Sequence, residues 1–252
     1  YWTPDVYEGS PTSVTSFFAI VPKIAGIAVF IRFMYSPFQN ILDEWQYILV
    51  FISIASMILG AVAAINQKNI KRLIAYSSIS HMGYAIAGIS TGTESGFKST
   101  IIYILIYSAM NIGFFAFVFL MKRSGKYIED INELSGISKN HPLAALSLLI
   151  VLFSLAGIPP LAGFFAKFYI FMSVIESGMY ALAIIGLVTT VVSAFYYIRI
   201  VKVMYFDSPK KPFESFKNYG IYGSLIFSCL FLSSFFMYPS IFNGIISKIN
   251  IF

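Results

Sequence analysis

Three titratable residues sit where a membrane should not tolerate them. Lys167 follows Gly157-Ile158-Pro159-Pro160-Leu161-Ala162-Gly163-Phe164-Phe165-Ala166, inside an apolar stretch that runs from about Pro142 past Phe171. A charged side chain at bilayer depth costs roughly 2.5–3.5 kcal/mol on insertion scales. The glycines and prolines before it interrupt the same segment. Broken helices at membrane depth occur where they are buried in protein or line a water-filled cavity. An ionisable group beside such a break is a candidate ion-pathway residue. Lys23 is the second cation, within Val14–Gly26 and near the middle of its apolar run 11–33, too deep for easy snorkelling and next to Pro22, which removes a backbone donor and predicts a kink. His81 is the third, in the polar stripe Tyr76-Ser77-Ser78-Ile79-Ser80-His81-Met82-Gly83-Tyr84. A histidine there can hand on protons near neutral pH, or it can sit neutral and hydrogen-bonded to a neighbouring helix.

The acids sharpen the argument. Asp5, Glu8, Asp43, Glu44, Glu94, Glu129, Asp130, Glu133, Glu176, Asp207 and Glu214 all fall in loops or at the ends of apolar runs. No carboxylate is left at mid-membrane to neutralise Lys23 or Lys167. Their partners must come from the part expected before Tyr1, from another subunit or from water. Burial disfavours the charged form of a lysine, so a lysine in this setting can load and release a proton. At Lys167 the positive amino-terminal dipole of the resumed helix would add to that effect. The plain alternative is a pair of packing lysines. Lys71 and Arg72 are most simply an anchor at the membrane face, and Lys71 is a weaker candidate than Lys23. Ser108 and Asn111, with Tyr103 and Tyr107 nearby, read first as helix-packing glue.

Composition places these residues in a bilayer. Apolar residues make up 58 % of the chain, charged residues 11 %, and the mean hydropathy is +0.79. A soluble domain is typically about 45–50 % apolar and about 25 % charged. The net charge of +6 does not call for nucleic acid, because the positive residues cluster in a few loops as orientation signals do. A single cysteine, Cys229, permits no internal disulfide. No cysteine cluster suits an iron–sulfur centre, no His/Cys spacing suits zinc, and no glycine-rich loop suits a nucleotide. The chain is not built to perform redox chemistry by itself.

A spanning helix needs about 20 mostly apolar residues. The pattern predicts one all-α polytopic membrane domain with spans near 11–33, 45–66, 72–91, 99–121, 143–175 (discontinuous), 178–206 and 219–246. Residues 122–142 are the longest loop. Alternating the spans puts twelve Lys and Arg on the side that holds the start of the chain and three on the other. That asymmetry puts the amino-terminal end in the cytoplasm and the carboxyl end outside. The chain opens in what reads as mid-loop, at Trp2-Thr3-Pro4-Asp5, with no methionine and no signal peptide, and is expected to be the C-terminal part of a longer protein.

The same residues carry a family resemblance. Trp2-Thr3-Pro4-Asp5-Val6-Tyr7-Glu8-Gly9-Ser10-Pro11-Thr12 resembles the loop entering a core helix of the antiporter-like subunits of respiratory complex I. Residues 69–84, Asn-Ile-Lys-Arg-Leu-Ile-Ala-Tyr-Ser-Ser-Ile-Ser-His-Met-Gly-Tyr, resemble the longest motif of that family, and residues 157–169 resemble its broken helix. The likeness runs from Tyr1 to about Tyr205. It implies the second half of an antiporter-like inverted-repeat fold. It implies proton-channel roles for Lys23 and Lys167, and any route between them would lean on water and hydroxyls; His81 is a candidate on its own residue type. It also implies that other membrane subunits, the lipid bilayer and protons are the partners, and that NADH, quinone, FMN and iron–sulfur clusters are bound by other subunits. The expected function is proton translocation coupled to NADH:quinone oxidoreduction elsewhere in the complex. A subunit of a multi-subunit sodium/proton antiporter or of a membrane-bound hydrogenase shares the fold and is the nearest rival; a purely structural membrane spacer is the other.

The topology is open to a direct test. Single cysteines introduced by Gly125→Cys and Asn250→Cys should be labelled from opposite faces by a membrane-impermeant thiol reagent. Equal labelling of both from one face would refute the span count.

Overall fold

The computed structural model describes residues 2–214 and 218–235. It is all-helical apart from one small hairpin. Helices α1 (Thr3–Gly9) and α2 (Thr12–Tyr35) open the chain. They are followed by α3 (Leu42–Ala64), α4 (Ile70–Ser90) and α5 (Glu94–Leu120). A hairpin of β1 (Lys122–Arg123) and β2 (Lys126–Tyr127) and the short α6 (Ile137–Asn140) lead to α7 (Pro142–Ala156) and α8 (Ala162–Glu176). Helices α9 (Tyr180–Phe206) and α10 (Tyr219–Ser234) complete the described bundle. Helices α2, α3, α5 and α9 are long and apolar enough to cross a membrane. Helix α4 has the length, but its serines, His81 and two basic residues dilute its apolar character. Together α7 and α8 make one interrupted crossing. The carboxyl part of the last expected span, 236–246, lies outside the described residues.

Local chemistry sets the helix ends. The Asn69 side chain caps α4 by accepting from the Lys71 and Arg72 amides, Thr93 caps α5 through the Gly96 amide, and Asn218 caps α10. Pro142 opens α7, where a missing N–H costs nothing. Helix α2 continues through Pro22.

Helices α4 and α5 form the centre. Most of α5 is buried, whereas most of α2 is exposed in the described chain. Close backbone approach makes the α3–α4 contact possible: a Cβ on Gly60 would come within 2.6 Å of the Tyr76 carbonyl oxygen. Small residues at such seams let membrane helices pack by van der Waals contact.

The connecting segments gather at two ends of the bundle. At one end Arg72 bridges Asp5 (2.9 Å) and Glu8 (2.7 Å), and Arg199 donates to the carbonyls of Ile65 (2.5 Å) and Gln67 (2.6 Å). At the other end Gln46 donates to the Ser90 carbonyl (2.9 Å) and Ser95 donates to Glu176 (3.1 Å).

Three sequence expectations change at the first of these ends. Residues 3–9 form a helix rather than a loop, with Pro4 and Asp5 in its first turn and Thr15 donating to the Tyr7 carbonyl at 3.1 Å. The segment 122–142 is structured: Ser124 and Gly125 both take positive φ, as a tight hairpin turn requires, and a left-handed Gly136 precedes α6. Lys71 is no solvated anchor. Its side chain is 2 % exposed and pairs with Glu129 at 2.6 Å while donating to the Ser10 carbonyl at 2.8 Å. The acid it needs lies far away in sequence, on the loop that folds back over α4.

Glu133 ties the 121–141 segment to the chain after α9. It accepts from Lys210 (2.8 Å) and Arg123 (2.7 Å), and these bonds hold its carboxyl below the usual carboxylate range. A depressed folded-state value means the contact stabilises the fold above the unfolded glutamate value, about 4.3, and is lost as pH falls through the folded value. Limited proteolysis of the 121–141 segment should therefore accelerate on acidification in the wild type. Glu133→Gln should be cut faster already at neutral pH, with a smaller acid step; identical pH profiles for the two proteins would remove Glu133 from this role.

Candidate functional site

The break between α7 and α8 is built so that each half satisfies the other. Gly157 ends α7 in the left-handed conformation (φ 84°, ψ 37°), and its amide donates to Phe153 and Ser154 carbonyls. That bend leaves the carbonyls of Leu155 and Ala156 free, and the Lys167 ammonium donates to both at 3.1 Å. In return the Ser154 hydroxyl accepts from the Gly163 amide at 3.0 Å, near the start of α8. The orphan groups that every helix end carries are thus paired across the gap. Lys167 is 4 % exposed. Its Nζ also stands 5.2 Å from the centre of the Tyr84 ring.

This placement corrects one sequence argument. The ammonium is bound by the carbonyl end of α7, a partner that an argument from the α8 dipole alone leaves out. Helical side chains slant towards the amino terminus, and Lys167 reaches back past Gly157 to the end of α7, where the helix dipole favours a cation. A Cβ on Gly157 would lie 3.0 Å from the Lys167 side chain. The left-handed φ favours glycine here, and a side chain would also press on the lysine.

Lys23 projects from α2 into the bundle and is half-buried. Its ammonium donates to the Ser78 hydroxyl of α4 and, at 3.4 Å, to the Tyr107 hydroxyl of α5. The rings of Tyr7 and Tyr107 lie 5.2 and 5.8 Å from it. Such faces attract a cation without carrying a charge.

His81 stands between the two lysines, 2 % exposed. The Tyr103 hydroxyl is 2.6 Å from Nδ1, and the Tyr197 hydroxyl is 3.3 Å from Nε2. Its ring centre is 5.1 Å from that of Tyr107 and 6.2 Å from that of Tyr84. The helical period explains the convergence: Ser77 or Ser78, His81 and Tyr84 recur every three or four residues on α4, and Tyr103 and Tyr107 do so on α5. A buried line therefore runs from Lys23 through Ser78, Tyr107 and His81 to Tyr84 and Lys167. No ion pair among the described residues reaches either lysine; the carboxylates stay at the helix ends and in the loops. Nor does any group of three or more His, Cys, Asp or Glu among them suit a metal ion.

The sequence did not single out Tyr7, Ser78, Tyr84 or Tyr197 as site residues. Their signal was the recurrence of hydroxyls at helical spacing, which is easily read as packing. Ser108 and Asn111 are not on the line. Each donates to the carbonyl four residues back in α5, Ser108 to Ile104 (2.7 Å) and Asn111 to Tyr107 (2.8 Å).

Comparison with known proteins bears on this arrangement. Residues 1–193 match the family described as NADH:quinone oxidoreductase/Mrp antiporter, TM. The chain belongs to this family. It is 61 % identical to NADH-quinone oxidoreductase subunit N of Pelagibacter ubique (strain HTCC1062), over 99 % of this chain and 53 % of that protein. A solved structure of respiratory complex I from Thermus thermophilus with bound aureothin contains a similar chain, with 31 % identity and a TM-score of 0.81 over 95 % of this chain and 52 % of that one. A chain of the Mrp complex from Dietzia sp. DQ12-45-1b shares the fold at a TM-score of 0.86 and 18 % identity, covering 98 % of this chain and 55 % of that one. The chain spans about half the length of the curated relatives it matches. It is an all-α, multi-pass inner-membrane protein with the antiporter-like fold.

The α7–α8 junction is the most constrained element of this antiporter-like site. A Cβ on Gly163 would collide with the Ser154 carbonyl oxygen. Overpacking of this kind costs about 1–3 kcal/mol or more. Gly163→Ala should lower the thermal stability of the purified membrane protein and displace Lys167 from the α7 carbonyls. An unshifted melting transition would show that the junction can open without penalty.

Proposed function

We propose that this chain acts as subunit N of a proton-translocating NADH:quinone oxidoreductase. The identity with a relative of that name supports the choice of subunit. The motifs Asp5-Val6-Tyr7-Glu8-Gly9 and Lys167-Phe168-Tyr169 point the same way among the sister subunits. The observation that carries the proton-translocating role is the line of titratable side chains, Lys23, His81 and Lys167, joined by hydroxyls and rings without a fixed counter-charge. Electron transfer from NADH to quinone would take place in other subunits, which would hold the FMN and the iron–sulfur clusters. This chain would work beside the other membrane subunits and move protons only.

Each group has a role that its contacts support. Lys23 gives up a proton towards the Ser78 and Tyr107 hydroxyls, which can accept and donate in turn. His81 takes a proton at one ring nitrogen and releases one from the other, since its two nitrogens face different hydroxyls. Lys167 receives a proton beside the break, where backbone carbonyls can hold the ammonium without binding it as a carboxylate would.

Substitutions in the assembled complex test this. Lys23→Ala should cut proton pumping and coupled quinone reduction roughly tenfold or more, as loss of a positioned proton-transfer group does. Lys167→Arg should also impair pumping, because arginine keeps the charge but does not deprotonate in proteins. The measurement is dye-monitored proton uptake in proteoliposomes driven by NADH. Normal pumping in both assembled variants would return the lysines to a packing role and the chain to that of a membrane spacer.

A further inference from the structure

His81 has a second line of hydroxyls that the path between the lysines does not use. Helices α4 and α9 run antiparallel, and their facing sides carry polar groups at helical spacing: Ser77, His81 and Tyr84 on one, Thr189, Thr190, Ser193 and Tyr197 on the other. The Tyr197 hydroxyl hydrogen-bonds the Ser77 hydroxyl and also faces His81 Nε2. Both residues are fully buried. Beside them the Tyr196 and Ser193 hydroxyls are buried in the same seam. Tyr197 lies less than a turn before Arg199, whose guanidinium grips the Ile65 and Gln67 carbonyls at the face the charge asymmetry assigns to the cytoplasm.

We propose that the α4–α9 seam is a proton entry branch to His81, with Tyr197 as its relay residue and Ser77 as the hydroxyl before it. The inference rests on the proton-translocating reading above. In each passage one proton arrives at the Ser77 oxygen from water on the Arg199 side, and Ser77 passes its own to the Tyr197 oxygen. Tyr197 gives its phenolic proton to His81 Nε2. His81 releases the Nδ1 proton to the Tyr103 oxygen, and Tyr103 passes its own phenolic proton on to a neutral amine of the lysine line. Each hydroxyl ends with one proton, and the imidazole ends as the other neutral tautomer. The branch is separate from the α2–α5 seam that holds Lys23. His81 is where the two meet.

The test uses the whole complex with the full-length subunit, reconstituted in proteoliposomes and driven by NADH. Tyr197→Phe removes one oxygen and keeps the ring. Proton flux and coupled quinone reduction should fall several-fold, and the solvent deuterium isotope effect on turnover should rise as proton delivery becomes limiting; a packing role would leave the isotope effect unmoved. Ser77→Ala should give the same pattern and decides the matter if Tyr197→Phe fails to assemble. Wild-type flux and isotope effect in the assembled variant overturn the branch. Lys23→Ala, prepared in parallel, tells two failures apart. Lost pumping there with normal pumping in Tyr197→Phe leaves the lysine line standing and removes the branch. Normal pumping in both Lys23→Ala and Lys167→Arg removes the line itself, and the branch with it.

Discussion

The ammonium of Lys167 on the carbonyls of Leu155 and Ala156 is the contact on which the site depends. Inside a bilayer a broken helix leaves carbonyls and amides that no solvent can satisfy, each at a cost of several kcal/mol. A lysine at the same depth carries its own desolvation cost. Put together, the two liabilities cancel in part: the lysine supplies donors to the carbonyls, and the carbonyls supply acceptors to the lysine. The arrangement explains the other features of the junction. Gly157 must take a left-handed turn so that α7 stops with its carbonyls exposed. Gly163 must lack a side chain so that α8 can begin against Ser154. Tyr84 lies across the ammonium from α4 and couples the junction to the centre of the bundle.

Much of this was legible in the sequence, and the part that was not has a common cause. Lys167, Lys23 and His81 stood out because a titratable side chain in an apolar run is rare, and the glycines and prolines before Lys167 mark the break directly. Hydroxyls give no such signal. Tyr84 and Tyr197 are as much at home in an apolar run as phenylalanine, so only three-dimensional proximity distinguishes a linking tyrosine from a packing one. Lys71 shows the opposite error. It stands at the start of α4, where a basic residue is ordinarily an anchor at the membrane face. Its burial depends on Glu129, brought over α4 by a loop whose hairpin and short helix were not evident from composition. The direction of the Lys167 side chain was also hidden. Its position relative to α8 follows from counting residues, but its contact with α7 follows from how the two half-helices stack.

Lys71, Lys23 and Lys167 are three lysines withdrawn from water to different degrees, and their partners separate them by depth. At the face of the bundle Lys71 meets a carboxylate. A buried ion pair fixes both charges, because removing either leaves the other uncompensated, typically at about 3–5 kcal/mol. That suits a clamp between a loop and a helix start. Within the membrane Lys23 and Lys167 meet hydroxyls, backbone carbonyls and aromatic faces. These are dipoles and quadrupoles that satisfy an ammonium, yet the hydroxyls can reorient to receive from it or donate to a neutral amine. A carboxylate in the same place would fix the charge, as Glu129 does for Lys71. The chain keeps its acids at the ends of the helices, and the interior around Lys23 and Lys167 is left polar without a fixed negative charge among the described residues.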